Sequence, residues 1–271
     1  MKIISAAGQT CNQFWIYSNY IADSLEKKEK IAIWLPDISL RYYPNFLKSE
    51  FISFPLYSEY LIKKIGYKNY MQLLKTIFSS KYVITICKVV FHFLPQIRFI
   101  SADVKCDKSK FRNKHLVKIK SIFTPDKSIT DEVEHVLSKL RKRYDVIVGV
   151  HIRYGDYRTF MDGKYFYTLA EYENMMCKIT DFFPGEKVAF LITSNENIST
   201  SYFSSLNCFV IPNSFSIKDL HGLSQTDYII GPPSTFSAWA SLYGDIPLYF
   251  IENSKNNFTR DSFKKIQDVW F

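Results

Sequence analysis

The chain opens on a short apolar run, Lys2 to Ala7, followed by a polar turn from Gly8 to Gln13. Phe14, Tyr17, Ile21 and Leu25 then recur at helical spacing, and Ile31 to Leu35 forms a second apolar run closed by Pro36. Strand, loop, helix, strand is a βαβ opening, which predicts a parallel sheet. From Arg41 to about Lys127 the pattern loses its rhythm. This stretch is aromatic, basic and punctuated by Pro44, Pro55 and Pro95, with helices expected over Ser58 to Ile65 and Tyr70 to Phe93. After Pro125 the alternation returns. Val133, Val136, Leu137 and Leu140 make a helical stripe ending in Arg141-Lys142-Arg143, cations suited to a helix carboxyl end. Asp145 to Ile152 is a near-continuous apolar run, the mark of a central parallel strand. Thr168 and Glu171 form a capping box for a helix with Tyr172, Met175, Met176 and Ile179 on one face. Strands are expected at Lys187 to Thr193, Cys208 to Ile211, Asp227 to Ile230 and Ile246 to Ile251. Between them lie a short helix from Ser216 to Leu223 and a Pro232-Pro233-Ser234 turn into a helix through Trp239 and Leu242.

The second half is a βα alternation complete enough to stand alone, and the first half carries a similar, interrupted one. The expected class is therefore α/β, with two Rossmann-like parallel-sheet domains facing across a cleft. Their expected extents are residues 1–130 and 131–271, with the boundary falling between residues 125 and 144. A length of 271 residues allows either one large domain or two smaller ones, and the repeated alternation favours two. Ligands of open α/β sheets bind at the carboxyl ends of strands, so chemistry is to be sought in the loops that follow them.

Composition narrows the function classes. Hydrophobic residues make up 47% and charged residues 23%, an ordinary globular balance. The aromatic share of 17% is high, and most of these rings are expected in the core. A net charge of +9 suggests an acidic partner. The basic residues are richest from Lys105 to Lys120 and at Arg141 to Arg143, but no nucleic-acid reading motif accompanies them. Five scattered cysteines (Cys11, Cys87, Cys106, Cys177 and Cys208) with no CxxC argue against a disulfide framework and a structural zinc site. They favour a reducing compartment, and no signal-peptide core is recognisable at the amino terminus. Tyr70 to Ile100 is the one candidate for a membrane span, and Lys75, Lys81 and Lys88 interrupt it. Amphipathic helices remain, packed in a core or resting on a membrane. The expected location is cytoplasmic, with peripheral contact at the inner face of an anionic membrane.

Three loops carry candidate chemistry. The strand ending at Ile152 leads into His151-Ile152-Arg153-Tyr154-Gly155-Asp156-Tyr157. A histidine and an arginine at the end of a buried strand need partners. The guanidinium fork suits a diphosphate, although an internal Arg153–Asp156 salt bridge with a hydrogen-bonded His151 satisfies the same residues. The second loop is Gly231-Pro232-Pro233-Ser234-Thr235-Phe236-Ser237, which opens a helix whose free N–H groups can either bind phosphate or be capped by Ser234 or Thr235. The third, Gly8 to Gln13, is neither a P-loop nor a dinucleotide fingerprint.

Taken together, these segments resemble the α-1,2-fucosyltransferases and their α-1,6- and protein O-fucosyltransferase relatives. Val150 to Tyr157 resembles the HxRRGDY signature, Gly8 to Gln13 the GxxGNQ loop, and Leu223 to Asp227 with Ser234 to Trp239 the carboxyl-terminal D…STFSxWA block. The resemblance implies a GT-B fold and inverting transfer of fucose from GDP-fucose to a glycan hydroxyl, in α-1,2 linkage on a bacterial surface polysaccharide. It implies no metal or other cofactor. Arg153 would hold the β-phosphate, His151 would position the nucleotide sugar, and Asp227, Ser234, Thr235, Phe236 and Ser237 would meet the nucleotide. Asn12 would face the fucose, and Asp156 or Asp162 would serve as the base unless the leaving phosphate takes the proton. The chain departs from the pattern at Tyr154, where relatives carry a second arginine, at Thr10-Cys11, and at Ser194-Asn195-Glu196 in place of an acidic pair. A transferase for another nucleotide sugar and a non-catalytic relative that only binds are the alternatives.

Overall fold

The computed structural model describes residues 1–56, 58–78, 80–92, 97–104 and 108–267. The chain divides into two compact units, Met1–Asp126 and a second one from Lys127 on.

The first unit is built on a four-stranded parallel sheet. In chain order its elements are β1 (Lys2–Ala6), α1 (Thr10–Lys27), β2 (Ile31–Ile33), α2 (Pro44–Leu47), β3 (Ile52–Ser53), α3 (Glu59–Ile65), α4 (Tyr67–Phe78), α5 (Lys81–His92), β4 (Arg98–Ala102) and α6 (Leu116–Ile122). The sheet order is β3-β2-β1-β4, so the chain builds outward on one side and then crosses to the other through α3 to α5. On one face α1 buries Phe14 and Tyr17 among Tyr43, Phe46 and Phe123, with ring centroids 4.9–5.7 Å apart. Much of the aromatic excess is spent here, as core. On the other face Ile3, Ala32 and Trp34 pack against Phe78 and Phe99.

The irregular middle of the sequence held more order than its pattern showed. The helix expected over Tyr70 to Phe93 is two helices, α4 and α5, and neither β3 nor β4 was foreseen, because runs of two to five residues are too short to show a period. Phe93, Pro95, Lys105 and Cys106 lie outside the described residues. Among those described, no helix is long and apolar enough to cross a membrane.

The second unit comprises α7 (Lys127–Arg141), β5 (Val146–Ile152), α8 (Leu169–Thr180), β6 (Val188–Ser194), β7 (Cys208–Phe209), α9 (Ser216–Leu223), β8 (Tyr228–Gly231), α10 (Thr235–Gly244), β9 (Pro247–Phe250) and β10 (Lys264–Lys265). Its sheet runs β10-β9-β8-β5-β6-β7, parallel except for β10. All seven residues of β5 are buried, as its apolar run requires of a central strand. Its alternate side chains serve two cores. Val146, Val148, Val150 and Ile152 pack on the α8 face with Tyr172, Met175, Met176 and Ile179, while Ile147 packs against Val133, Leu137 and Leu140 of α7. The Thr168–Glu171 capping box is formed, worth about 1 kcal/mol to the start of α8.

Candidate active site

Counted from β5, the strand order is 3-2-1-4-5-6, the doubly wound nucleotide-binding order. The chain leaves β5 for β6 on one side and returns to β8 on the other, so a crevice opens between the carboxyl ends of β5 and β8. Two loops meet there. Tyr157, in the short 3-10 turn Gly155–Arg158, donates its hydroxyl to the Pro233 carbonyl at 2.6 Å, tying the loop after β5 to the turn before α10.

His151 and Arg153 project from the same side of the strand end. His151 is 3% exposed, and its ring lies 4.9 Å from that of Phe236 on α10. Burial, and then the neighbouring Arg153, push its pKa down to about 3, so the imidazole is neutral at physiological pH. This close approach depends on Gly231, where a Cβ would come within 2.9 Å of His151. The Arg153 guanidinium reaches Asp156 at 2.7 Å and lies 5.3 Å from the Tyr157 ring. The internal pair weighed from sequence is therefore present. It does not saturate the site, because the buried Arg153 Nε and His151 Nδ1 have no hydrogen-bond partner. An unmet buried polar atom costs about 1–3 kcal/mol, and a ligand oxygen relieves that cost.

The loop is held from the neighbouring strand. Beyond β6, the Asn195 side chain accepts from the Tyr154 N–H at 2.8 Å and Glu196 from the Gly155 N–H at 2.9 Å. Glu196 also holds the Arg158 fork, Nη2 to Oε2 at 2.9 Å, and this pairing, ahead of the other contributions, lowers its pKa. Gly155 has φ +62°, and a Cβ there would stand 2.7 Å from the Asn195 amide. Tyr154 joins the α8-side core, 5.0 Å from Phe166, with the Arg158 guanidinium 5.2 Å over its ring. Strand alternation thus turns Tyr154 away from the side that His151 and Arg153 share.

The other expected site residues separate into those brought to this crevice and those that are not. Ser234 caps α10, accepting from the Phe236 N–H at 3.2 Å, and Thr235, Phe236 and Ser237 form the first turn. Asp227 is elsewhere. It precedes β8 at the amino edge of the sheet, where it accepts from the Ile147 N–H at 2.8 Å and pairs with Arg141 at 3.1 Å. That edge is four strand residues away from the crevice, roughly 13 Å at the rise of a strand, and there Asp227 clamps β8 and α7 to β5. Asp162 sits on an exposed turn where it and Met161 both have positive φ, +57° and +51°. Asn12 belongs to the first unit, in the first turn of α1 at the carboxyl edge of that unit's sheet, with its side chain packed over Gly8. Next to it, Gln13 accepts from the Asp37 N–H at 2.9 Å, and Thr10 donates to the Asp37 carboxylate at 3.0 Å.

Sequence reasoning missed Asn195 and Glu196 as supports, because a contact across 41 residues leaves no local pattern. It also missed Asp219. This carboxylate lies in the first turn of α9, beside α10, bonded by the Ser214 hydroxyl, and burial pushes its pKa up to about 6. An acidic residue at a helix start reads as dipole chemistry, and only burial distinguishes it. Among the described residues no cluster of three or more His, Cys, Asp or Glu is placed to hold a metal. A cavity of about 370 Å³ in the first unit, lined by Lys2, Asp23, Arg98 and Ser109, opens at the amino ends of β1 and β4, the edge away from Asn12.

A doubly wound sheet with an arginine whose Nε is unmet and a helix amino terminus at its switch point defines an α/β protein with its ligand site in that crevice. The family model for glycosyl transferase family 11 matches residues 68–270, and the chain belongs to that family. It is a glycosyltransferase. No curated protein matches it by sequence. Solved structures share its fold at low identity. Fucosyltransferase NodZ from Bradyrhizobium is 14% identical with a TM-score of 0.58, over 94% of this chain and 96% of that one. POFUT1 in complex with GDP-fucose is 9% identical with a TM-score of 0.57, over 90% and 94%. A mutant of Arabidopsis thaliana FUT1 in complex with GDP is 12% identical with a TM-score of 0.53, over 99% and 74%. The α/β, GT-B-like class expected from the sequence therefore holds.

Proposed function

We propose that the enzyme moves fucose from GDP-fucose to a glycan hydroxyl with inversion, in α-1,2 linkage on a bacterial surface polysaccharide or its lipid-linked precursor, without a metal. The observation that carries this reading is the pair of unmet polar atoms, Arg153 Nε and His151 Nδ1, at the carboxyl end of β5 beside the start of α10. In the reaction the acceptor oxygen attacks the fucose anomeric carbon while its bond to the β-phosphate breaks, and GDP leaves with the bonding pair. Arg153 and the N–H groups opened by Ser234, Thr235, Phe236 and Ser237 offset the charge that develops on that phosphate. Neutral His151, held against Phe236, donates or accepts one hydrogen bond and positions the donor. Asp156 holds the Arg153 fork in place, and the acceptor proton goes to Asp156, to Asp162 or to the departing phosphate itself.

Asp219 has the chemistry to read the base. A guanine edge presents two adjacent N–H donors, which match a carboxylate, and a partly desolvated carboxylate gains most from them. Asp227, at the far edge of the sheet, is left out of the donor site and kept as a strand clamp. The first unit, residues 1–130 in the sequence reading, is assigned the acceptor, and Asn12 is assigned the fucose. The second unit is assigned GDP-fucose. The expected location is cytoplasmic, with a peripheral station at an anionic membrane.

The test is Arg153→Ala. Loss of one such charge-stabilising donor lowers kcat by about 10²–10³-fold, with Arg153→Lys recovering part of it. Unchanged turnover of GDP-fucose would sink the assignment. Calorimetry against GDP-fucose, GDP-mannose and UDP-sugars decides the donor. Binding of GDP-fucose without turnover by the wild type would make the protein a non-catalytic relative.

A further inference from the structure

Among the described residues, fourteen large hydrophobic side chains are exposed, and eight of them fall between Tyr60 and Val89. They are ordered by helical period. On α3, Leu61 and Ile65 stand outward one turn apart; on α4, Leu73 and Ile77 do the same, at 47% and 48% exposure. On α5, Tyr82, Ile86 and Val89 fall at i, i+4 and i+7, all more than half exposed. The inward face of α4 is already occupied, since Tyr70, Met71 and Leu74 are buried against Leu56, Ile62 and Phe78. α4 is therefore apolar on two sides, and among the described residues the outward side chains named on α3, α4 and α5 are left exposed. Scattered exposed apolar residues need no explanation, whereas eight gathered on three consecutive helices do.

The charge on this segment selects the partner. Residues 59–92 contain six lysines and one acidic residue, Glu59. Lys63, Lys64 and Lys68 are exposed beside the apolar stripes. Interfaces between protein copies are depleted of lysine at their cores, and two copies of this face would bring like charges together. An apolar stripe bordered by lysines instead matches a bilayer surface, with the rings and branched chains entering the headgroup boundary and the ammonium groups meeting anionic lipid.

We propose that the outward faces of α3, α4 and α5 form a docking surface for an anionic lipid bilayer. This deepens the reading that the acceptor is a lipid-linked glycan, since docking would hold the enzyme where such an acceptor is concentrated. The surface is built from residues of the first unit and the donor residues belong to the second, so the two can fail separately.

The experiment is co-sedimentation of the full chain with vesicles of phosphatidylglycerol and phosphatidylcholine, against vesicles of phosphatidylcholine alone. The wild type is expected to pellet with the anionic vesicles and to be released as salt rises. The double variant Ile77→Glu, Ile86→Glu is expected to lose at least tenfold in binding. Lys63→Gln, Lys64→Gln, Lys68→Gln is expected to lose roughly fivefold per lysine removed, with GDP binding by calorimetry unchanged in both. Absence of wild-type binding to anionic vesicles overturns the proposal. So does a wild-type dimer, seen by light scattering, that the glutamate variants turn into a monomer, because the face is then a self-interface. Vesicle binding that survives Arg153→Ala while transfer is lost supports both readings, and vesicle binding by a wild type that transfers no fucose keeps the surface and refutes the function.

Discussion

At the scale of single residues, burial moves two titrating groups of the second unit in opposite senses. Burial drives His151 down to about 3, so it works as a neutral ring throughout the physiological range. Asp219 is driven up, from the ordinary 3.8 to about 6. Its folded pKa lies above its unfolded one, so the folded state holds the proton more tightly. Stability is therefore highest below pH 4 for this group and falls as the pH rises between those two values. Guanine N–H donors favour the ionised form, so GDP affinity is expected to rise between pH 5 and 7 and then level off. Asp219→Asn should flatten that profile and weaken GDP by about tenfold or more, the loss expected of a charge-assisted pair, while raising the unfolding temperature at pH 7.5. Calorimetry across pH, paired with thermal melts, separates the outcomes; an unaltered GDP profile in the variant removes Asp219 from the base site.

At the scale of elements, the site is a loop held by a neighbouring strand. The sequence disclosed β5 and the Ser234 turn, because a buried strand and a helix start each leave a local signature. It did not disclose that Asn195 and Glu196 hold the backbone of Tyr154 and Gly155, since that contact exists only once β5 and β6 pair in register, Ile152 beside Ser194. Glu196→Ala should free the Gly155 N–H and the Arg158 fork together. The expected result is faster amide exchange over Tyr154–Arg158 and GDP binding weaker by about ten- to a hundredfold, the scale of a small misplacement of a positioned group. Unaltered exchange in that stretch would mean the loop is held by Tyr157 and Pro233 alone.

At the scale of the whole molecule, each unit carries its own sheet and its own buried clusters. A fragment beginning at Lys127 is expected to melt cooperatively and to retain GDP affinity within about tenfold of the full chain, as a domain with its own core should. Circular dichroism and calorimetry check this, and a fragment without a cooperative transition would contradict independent folding.

Periodicity and turn chemistry determined most of the second unit before any contact was known: the strand at β5, the capped α8, the start of α10, and the loop with His151 and Arg153. These are local properties, and they survive in a single sequence. The tertiary structure alone decided which face each residue occupies and which edge of the sheet it reaches. It turned Tyr154 into the core, moved Asp227 to the far edge as a clamp, and left Arg153 bonded to Asp156 yet with its Nε unmet. Strand register and burial couple residues tens of positions apart, and no local pattern records that coupling.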